Sequence, residues 1–286
     1  MEEESVWGPL GLSLQRLSAR ALSPNRGGYT LTMRECQGVE AMLARMADEP
    51  SPHPPGRRLH LGWGSFRNLD IAAARRSEVI VLLDVNRHQF RVWDAVADAL
   101  RHSRDAATFV DALLPRLPTE PRLRQFADDT GTWLRGDLER PGSWLEHAAP
   151  ERWTWIRERF AAGAVLRACV DLRHATSCAA LRQALGAGQR SEGLQLDTLY
   201  VSNIPWMLAQ PLGFFGEAHH DSLEGAASSA LEQVRLNLAP LAADFRWAIT
   251  AMQLRADASA DNLQWQTELL AGPDLAAHPG WRELST

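Results

Sequence analysis

Residues 78–84 form a continuous apolar run that ends on a carboxylate, Glu78-Val79-Ile80-Val81-Leu82-Leu83-Asp84. Short runs of this kind are typical of strands that are covered on both faces, as in a parallel sheet. Three more segments have this character, and segments with helical spacing separate them: Arg58–Leu61, Val165–Asp171 and Leu196–Asn203. The alternation predicts an α/β fold whose doubly wound sheet is mostly parallel.

The chain before the first of these strands has a different pattern. Helices are predicted at 8–22 and 32–48, the second with Thr32 as N-cap and Glu35 in a capping-box position. A proline-rich stretch at 50–56 then indicates a linker. We therefore expect an N-terminal helical cap with its linker at 1–56, followed by a Rossmann-like domain at 57–286.

Helical spacing also dominates a long region within the predicted domain. Residues 88–160 are helix-like, which predicts a helical insertion between the second and third strands. A short helix is expected at 69–76 and a longer one at 222–239, ahead of two last strand candidates at 245–252 and 263–267.

Composition limits the classes of partner. The 286 residues carry a formal net charge of -5, so no basic surface for nucleic acid is expected. The chain has no apolar run of membrane-spanning length and no hydrophobic core of a signal peptide, which predicts a cytoplasmic protein without a membrane partner. Neither the three cysteines nor His219-His220-Asp221 has metal-ligand spacing, so no metal site is predicted. The oligomeric state stays open.

Candidate ligand-binding residues follow the ends of the four predicted strands. Because parallel strands end at one edge of a sheet, these residues are expected to meet there. They are a glycine turn, two acids and a polar segment: Gly62-Trp63-Gly64-Ser65, Asp84, Asp171 with Leu172, and Ser202-Asn203-Ile204-Pro205-Trp206. One adenosine-type ligand accounts for all four. A third glycine would favour a dinucleotide, but Arg67 stands in its place, which disfavours an NAD-dependent oxidoreductase.

The chain resembles the class I (Rossmann-like) S-adenosylmethionine (SAM)-dependent methyltransferase superfamily over roughly residues 58–270. Within it, the chain is most similar to a little-characterised bacterial group of methyltransferase-like proteins. The likeness consists of the glycine turn with Asn68 nearby, a strand that ends in Asp84, Asn86 and Arg87, the helical insertion, and Tyr200-Val201-Ser202-Asn203-Ile204. The chain departs from the superfamily at the missing third glycine and at His60, which stands near the position of the usual acidic residue.

The resemblance implies SAM as cofactor and assigns residues to it. Gly62 and Gly64 would lie against the methionine part, Asp84 would hold the ribose, and Asp171 with Leu172 would hold the adenine. Neighbours on the same loops are also expected to bind the cofactor: Trp63, Ser65, Asn68, Val85 and Asn86.

The segment from Asn203 to Trp206 is similar to the Asn-Pro-Pro-aromatic motif of methyltransferases that act on nitrogen. The motif implies an amine nucleophile that is oriented by Asn203, with Ser202 and Tyr29 as further candidate catalytic residues. Methyl transfer to a small-molecule amine is the default expectation, because the cap and the insertion favour a small, enclosed substrate. Two alternatives stay open. The chain could cyclise SAM itself to azetidine-2-carboxylate with release of methylthioadenosine, as the azetidine-forming relatives of the superfamily do, or it could be a non-catalytic SAM-binding scaffold or sensor.

Overall fold

The computed structural model describes residues 8–20, 36–49, 57–85, 88–118, 130–202, 223–254 and 264–278. The strands in these residues are β1 Cys36–Gln37, β2 Arg58–Trp63, β3 Val79–Asp84, β4 Val165–Cys169, β5 Gln195–Ser202, β6 Trp247–Leu254 and β7 Gln264–Ala271. The helices are α1 Gly8–Arg20, α2 Val39–Asp48, α3 Arg67–Arg75, α4 His88–His102, α5 Ala106–Leu113, α6 Thr130–Glu139, α7 Pro150–Ala161, α8 Ala175–Glu192 and α9 Leu223–Ala242. Short 3-10 turns follow α5 and β7, at Leu114–Arg116 and Gly272–Ala277.

All seven strands join one sheet, in the order β1-β7-β6-β5-β2-β3-β4. The five strands from β2 to β6 run parallel to one another, and β7 pairs with β6 in the antiparallel sense. From β2 the chain builds outward through β3 to β4, and it then crosses back to place β5 on the other side of β2. The prediction of an α/β fold with a mostly parallel sheet is confirmed. The winding reverses between β2 and β5, where α/β sheets of this kind bind ligands.

Helices cover both faces of the sheet. On one face, α1, α8 and α9 share a core with Val79, Val81 and Leu83 of β3. On the other face, Ile80 and Leu82 of the same strand pack with α3 and the helices that follow β3. The continuous apolar run is thereby explained, because β3 is buried from both sides.

The helical insertion lies between β3 and β4, as predicted, and its described residues form α4 to α7 and a short 3-10 turn. It is fastened to α3 through the buried carboxylate of Asp70. Arg67 Nη1 and Arg140 Nη2 each donate to Asp70 Oδ2 at 2.9 Å, and the backbone N–H of Trp144 donates to Oδ1 at 2.8 Å. These contacts join the insertion to the helix that begins at the glycine turn.

The prediction for residues 32–48 was wrong in its first part. The helix there begins at Val39, and its N-cap is Gly38 with φ 77°, a backbone conformation that favours glycine. The two residues before Gly38 form β1 and pair with β7, so Thr32 and Glu35 do not cap this helix. The apolar spacing correctly predicted a helix from Val39 onward, but it does not show at which residue the helix begins.

Both N-terminal helices pack on the sheet domain. Leu10 and Leu14 of α1 belong to the same core as α8, while Met42 and Met46 of α2 pack with Ile249 of β6. They contribute to the two layers of the domain. The predicted boundary between the cap and the Rossmann-like domain, near residue 56, falls in residues 50–56, which lie outside the described residues. No helix in the described part of the chain is long and apolar enough to cross a bilayer.

Candidate functional site

The glycine turn begins later than the sequence predicts. Gly62 and Trp63 are the last residues of β2 and pair with Leu82 and Leu83 of β3, so only Gly64 and Ser65 lie in the turn before α3. Trp63 is almost fully buried in the core on the α1, α8 and α9 side. Ser65 is buried too, and its Oγ accepts the backbone N–H of Arg67 at 3.4 Å.

The structure brings Gly64 and Ser202 together at the point where the winding reverses. Gly64 has φ +84°, and a Cβ built on it would lie 3.9 Å from Ser202 Oγ. Ser202 ends β5 beside a bulge in the pairing with β6 and has φ +60°. A serine with positive φ is uncommon and costs conformational energy, and such residues concentrate at functional sites. This adjacency agrees with the expectation that the two strand ends meet.

Asn68 lies beneath the turn and is wholly buried. Its Nδ2 donates to the carbonyl oxygens of Trp63 at 3.1 Å and Ser65 at 2.9 Å. Its Oδ1 accepts from His60 Nε2 at 3.0 Å. Gly62 makes room for this amide, because a Cβ at residue 62 would overlap Asn68 Oδ1. The amide of Asn68 is therefore engaged within the protein, and the close approach at Gly62 is to Asn68.

His60 links this turn to β5. It is fully buried, and its Nδ1 lies 2.8 Å from Thr198 Oγ1. Burial lowers the pKa of His60 to about 4, against a smaller opposing effect of the Asn68 hydrogen bond. The ring is thus neutral at pH 7. Since Asn68 Oδ1 can only accept, the proton is on Nε2, and Nδ1 accepts from the Thr198 hydroxyl.

The depressed pKa of His60 makes the stability of the fold depend on pH. The folded-state pKa of about 4 lies below the ordinary value of 6.5, so between these values the unfolded chain binds the proton and the folded chain does not. We expect the free energy of unfolding to fall by about 2 kcal/mol from pH 7 to pH 5 on account of this residue. Urea unfolding at both pH values measures the loss. His60→Gln is the control, and its free energy of unfolding should fall by about 2 kcal/mol less than that of the wild type between pH 7 and pH 5. An equal fall in both proteins would contradict the prediction.

Asp84 ends β3 and is partly exposed at the same edge of the sheet, two strands from Ser202. Its carbonyl oxygen accepts the backbone N–H of Val170 at 3.0 Å. The carbonyl oxygen of Val85 accepts the thiol of Cys169 at 3.5 Å. Asp84 is thus held at the position that the sequence predicts for the ribose-binding acid.

Asp171 was predicted to be the last residue of a strand. In the structure, β4 ends two residues earlier, at Cys169, and Asp171 lies in the turn that follows. Both of its carboxylate oxygens accept from Arg173, Oδ1 from Nε at 2.9 Å and Oδ2 from Nη2 at 2.6 Å. Burial alone would raise the pKa of Asp171, but the hydrogen bonds from Arg173 outweigh burial and lower it. The side chain of Leu172 is packed in the core. Sequence reasoning missed Arg173, although a basic residue two positions after an acid was a visible signal.

Of the predicted site residues, Tyr29, Asn86, Asn203 and the segment 204–206 lie outside the described residues. Ser202 is thus the one candidate catalytic residue that the structure describes. Within the described ranges, no three His, Cys, Asp or Glu side chains are grouped so that they could hold a metal ion. His219-His220-Asp221 falls outside those ranges.

A family model described as "Domain of unknown function (DUF7790)" matches residues 55–117. The match includes β2, the glycine turn, α3, β3 and the first helices of the insertion. It therefore contains His60, Asn68 and Asp84, but not Thr198, Asp171 or Ser202. No curated protein matches the chain.

Proposed function

We propose that this protein is a SAM-dependent transferase that acts on an amine of a small molecule, with methyl transfer to nitrogen as its reaction. The observation that carries the proposal is the meeting of Gly64 and Ser202 where the winding reverses between β2 and β5. Ligands of doubly wound sheets bind in the crevice at such a reversal. The order of the parallel strands, β4-β3-β2-β5-β6, is the doubly wound order to which that rule applies.

The residues at this edge suit the parts of SAM. Gly64 has no side chain, and the turn leads into α3, whose N-terminus carries the positive end of the helix dipole and favours a carboxylate such as that of the methionine part. Asp84 is partly exposed one strand away from β2 and suits the hydroxyl groups of a ribose. Asp171 follows the next strand and would have to accept an adenine amino group beside Arg173.

The protein's part in the reaction is to orient the amine. Bound SAM supplies a methyl group that is already activated. Ser202 ends β5 with a left-handed backbone conformation, and Asn203 is the next residue in the sequence. An amide oxygen at that point would accept a hydrogen bond from the amine and direct its lone pair, which is catalysis by positioning.

Calorimetric titration with SAM tests the cofactor assignment. We expect the purified protein to bind SAM and the Asp84→Asn variant to bind it at least tenfold more weakly, because a hydrogen bond to a charged group is lost. Asp111→Asn is the matched control, since Asp111 is an exposed carboxylate of the insertion that pairs with Arg135, and it should bind like the wild type. If the wild type does not bind SAM, the proposal is wrong.

Mass spectrometry of the products separates the proposed reaction from its alternatives. S-adenosylhomocysteine together with a methylated amine would support methyl transfer. Methylthioadenosine and azetidine-2-carboxylate from SAM alone would establish cyclisation, in which the α-amino nitrogen bonds to the γ-carbon, the carbon–sulfur bond breaks and one proton is released. SAM that is bound but unchanged in the presence of an amine library would favour a scaffold or sensor.

A further inference from the structure

The glycine turn is held by a chain of three buried polar side chains that begins on a different strand. Thr198 Oγ1 of β5 donates to His60 Nδ1, and His60 Nε2 donates to Asn68 Oδ1. Asn68 Nδ2 then donates to the two carbonyl groups on either side of Gly64, those of Trp63 and Ser65. The chain therefore crosses from β5 through β2 to the start of α3.

The contacts of Asn68 determine which way the peptide groups of the turn face. In a trans peptide the C=O and N–H groups point in opposite directions. Because Asn68 draws the carbonyl groups of Trp63 and Ser65 inward, the N–H groups of Gly64 and Phe66 face away from it. The N–H of Gly64 reaches the carbonyl oxygen of Leu83 at 3.4 Å. The N–H of Phe66, the N-cap of α3, is the first of the donors at the start of this helix.

The direction of each hydrogen bond in the chain is fixed by its neighbours. Only the Nδ2 side of Asn68 can donate to two carbonyl oxygens, so Oδ1 has to face His60. Oδ1 needs a donor, which His60 provides only when its proton is on Nε2. Nδ1 then needs a donor in turn, and the Thr198 hydroxyl supplies one. Since all three side chains are fully buried, a reversal of any of these bonds would leave a polar group unpaired, which is costly.

We propose that His60, Asn68 and Thr198 are positioning residues, which hold the glycine turn so that the N–H of Phe66 faces away from Asn68, toward an anionic group of the bound ligand. The inference rests on the proposed function insofar as that ligand is SAM. It goes further in giving His60 a defined tautomer and in linking the turn after β2 to β5, the strand that ends at Ser202.

The test combines hydrogen exchange, which needs no ligand, with a measurement of SAM binding. His60→Leu removes both ring hydrogen bonds, whereas His60→Gln keeps a donor toward Asn68. For His60→Leu we expect hydrogen exchange in a peptide that covers residues 62–69 to rise about tenfold relative to a peptide of β3, because only the turn loses its support. The dissociation constant for SAM should rise about tenfold as well. His60→Gln should restore most of both.

Nitrogen NMR of the histidines gives the tautomer directly. The signal assigned to His60 by its loss in His60→Gln should show a protonated Nε2 and an unprotonated Nδ1 at pH 7; the opposite tautomer would overturn the proposal. If His60→Leu does not fold, Thr198→Val removes only the Nδ1 partner and should shift both readings in the same direction, about threefold, with Thr198→Ser as the rescue.

The two proposals fail in different ways. A wild type that does not bind SAM overturns the proposed function, while the tautomer and the exchange of the turn still decide the positioning role. A wild type that binds SAM, with variants that fold, bind SAM equally well and exchange equally slowly at residues 62–69, overturns the positioning role alone.

Discussion

Replacing Arg75 with methionine should lower the free energy of unfolding by about 3–5 kcal/mol, because it leaves a buried carboxylate without its partner. Arg75 is 1% exposed and Asp197 is 4% exposed. Nε and Nη2 of Arg75 donate to the two oxygens of Asp197 at 2.7 and 2.9 Å. Its Nη1 donates to the carbonyl oxygen of Met46 at 2.5 Å. The substitution therefore removes the hydrogen bonds that join the end of α3 to β5 and to α2.

Arg182→Met is the matched control. Arg182 Nε and Nη2 donate to the two oxygens of Asp244 in the same two-point geometry, but the Arg182 side chain is 50% exposed. An exposed pair of this kind contributes less than about 1 kcal/mol. Urea unfolding of both variants measures the difference. If both lose the same free energy of unfolding, the burial of Asp197 does not increase the effect of removing its partner.

The double variant Arg75→Met/Asp197→Leu checks the physical reason. If the loss in Arg75→Met comes from an uncompensated charge, replacing Asp197 by an apolar residue should recover a large part of it. A double variant that is less stable than Arg75→Met would indicate that the pair itself, rather than the stranded charge, stabilises the fold.

The stability of α3 bears on function because this helix begins at the glycine turn. At its start, Asn68 holds the turn and Asp70 binds the insertion. At its end, Arg75 binds β5. The helix is thus fixed at both ends to other elements, so that the N–H groups at its start keep one orientation.

The sequence was sufficient to place β3 and most of the other strands. A strand such as β3 is buried on both faces, so every side chain from Val79 to Leu83 is apolar and the signal is local. The antiparallel direction of β7 was not predicted, because a pattern of alternating side chains is the same for both directions. β1 was missed since two residues are too short for any periodicity, and Gly38 alone does not reveal that the chain changes conformation there.

The sequence predicted which residues lie at one edge of the sheet, but it did not predict the contacts between them. The expectation that a glycine turn and Ser202 meet follows from parallel strands that end at one edge. The role of Asn68 depends on His60 and on two backbone carbonyl groups, and the sequence gives no distance between them. Arg75 and Asp197 are 122 positions apart in the chain, so only the folded structure brings the two charges together.

Gly62→Ala should lower the free energy of unfolding by about 3 kcal/mol, although it adds a single methyl group. The new Cβ would overlap Asn68 Oδ1 and lie 3.0 Å from Tyr200 Cβ. Asn68 would have to leave its place, which breaks its hydrogen bonds to His60 and to the turn. The change should therefore also weaken SAM binding, by tenfold or more.

A double-mutant cycle decides whether Asn68 is the cause. Asn68→Ala opens the space beside residue 62, so Gly62→Ala should cost less than about 1 kcal/mol in that background, which gives an interaction energy of about 2 kcal/mol. Gly136→Ala is the control: no atom lies within 4 Å of a Cβ there, and alanine in a helix should stabilise by about 0.5–1 kcal/mol in either background. If Gly62→Ala lowers the free energy of unfolding equally with and without Asn68, contacts with Tyr200 and the strand backbone exclude a side chain at residue 62. The amide of Asn68 would then not be the reason for the glycine.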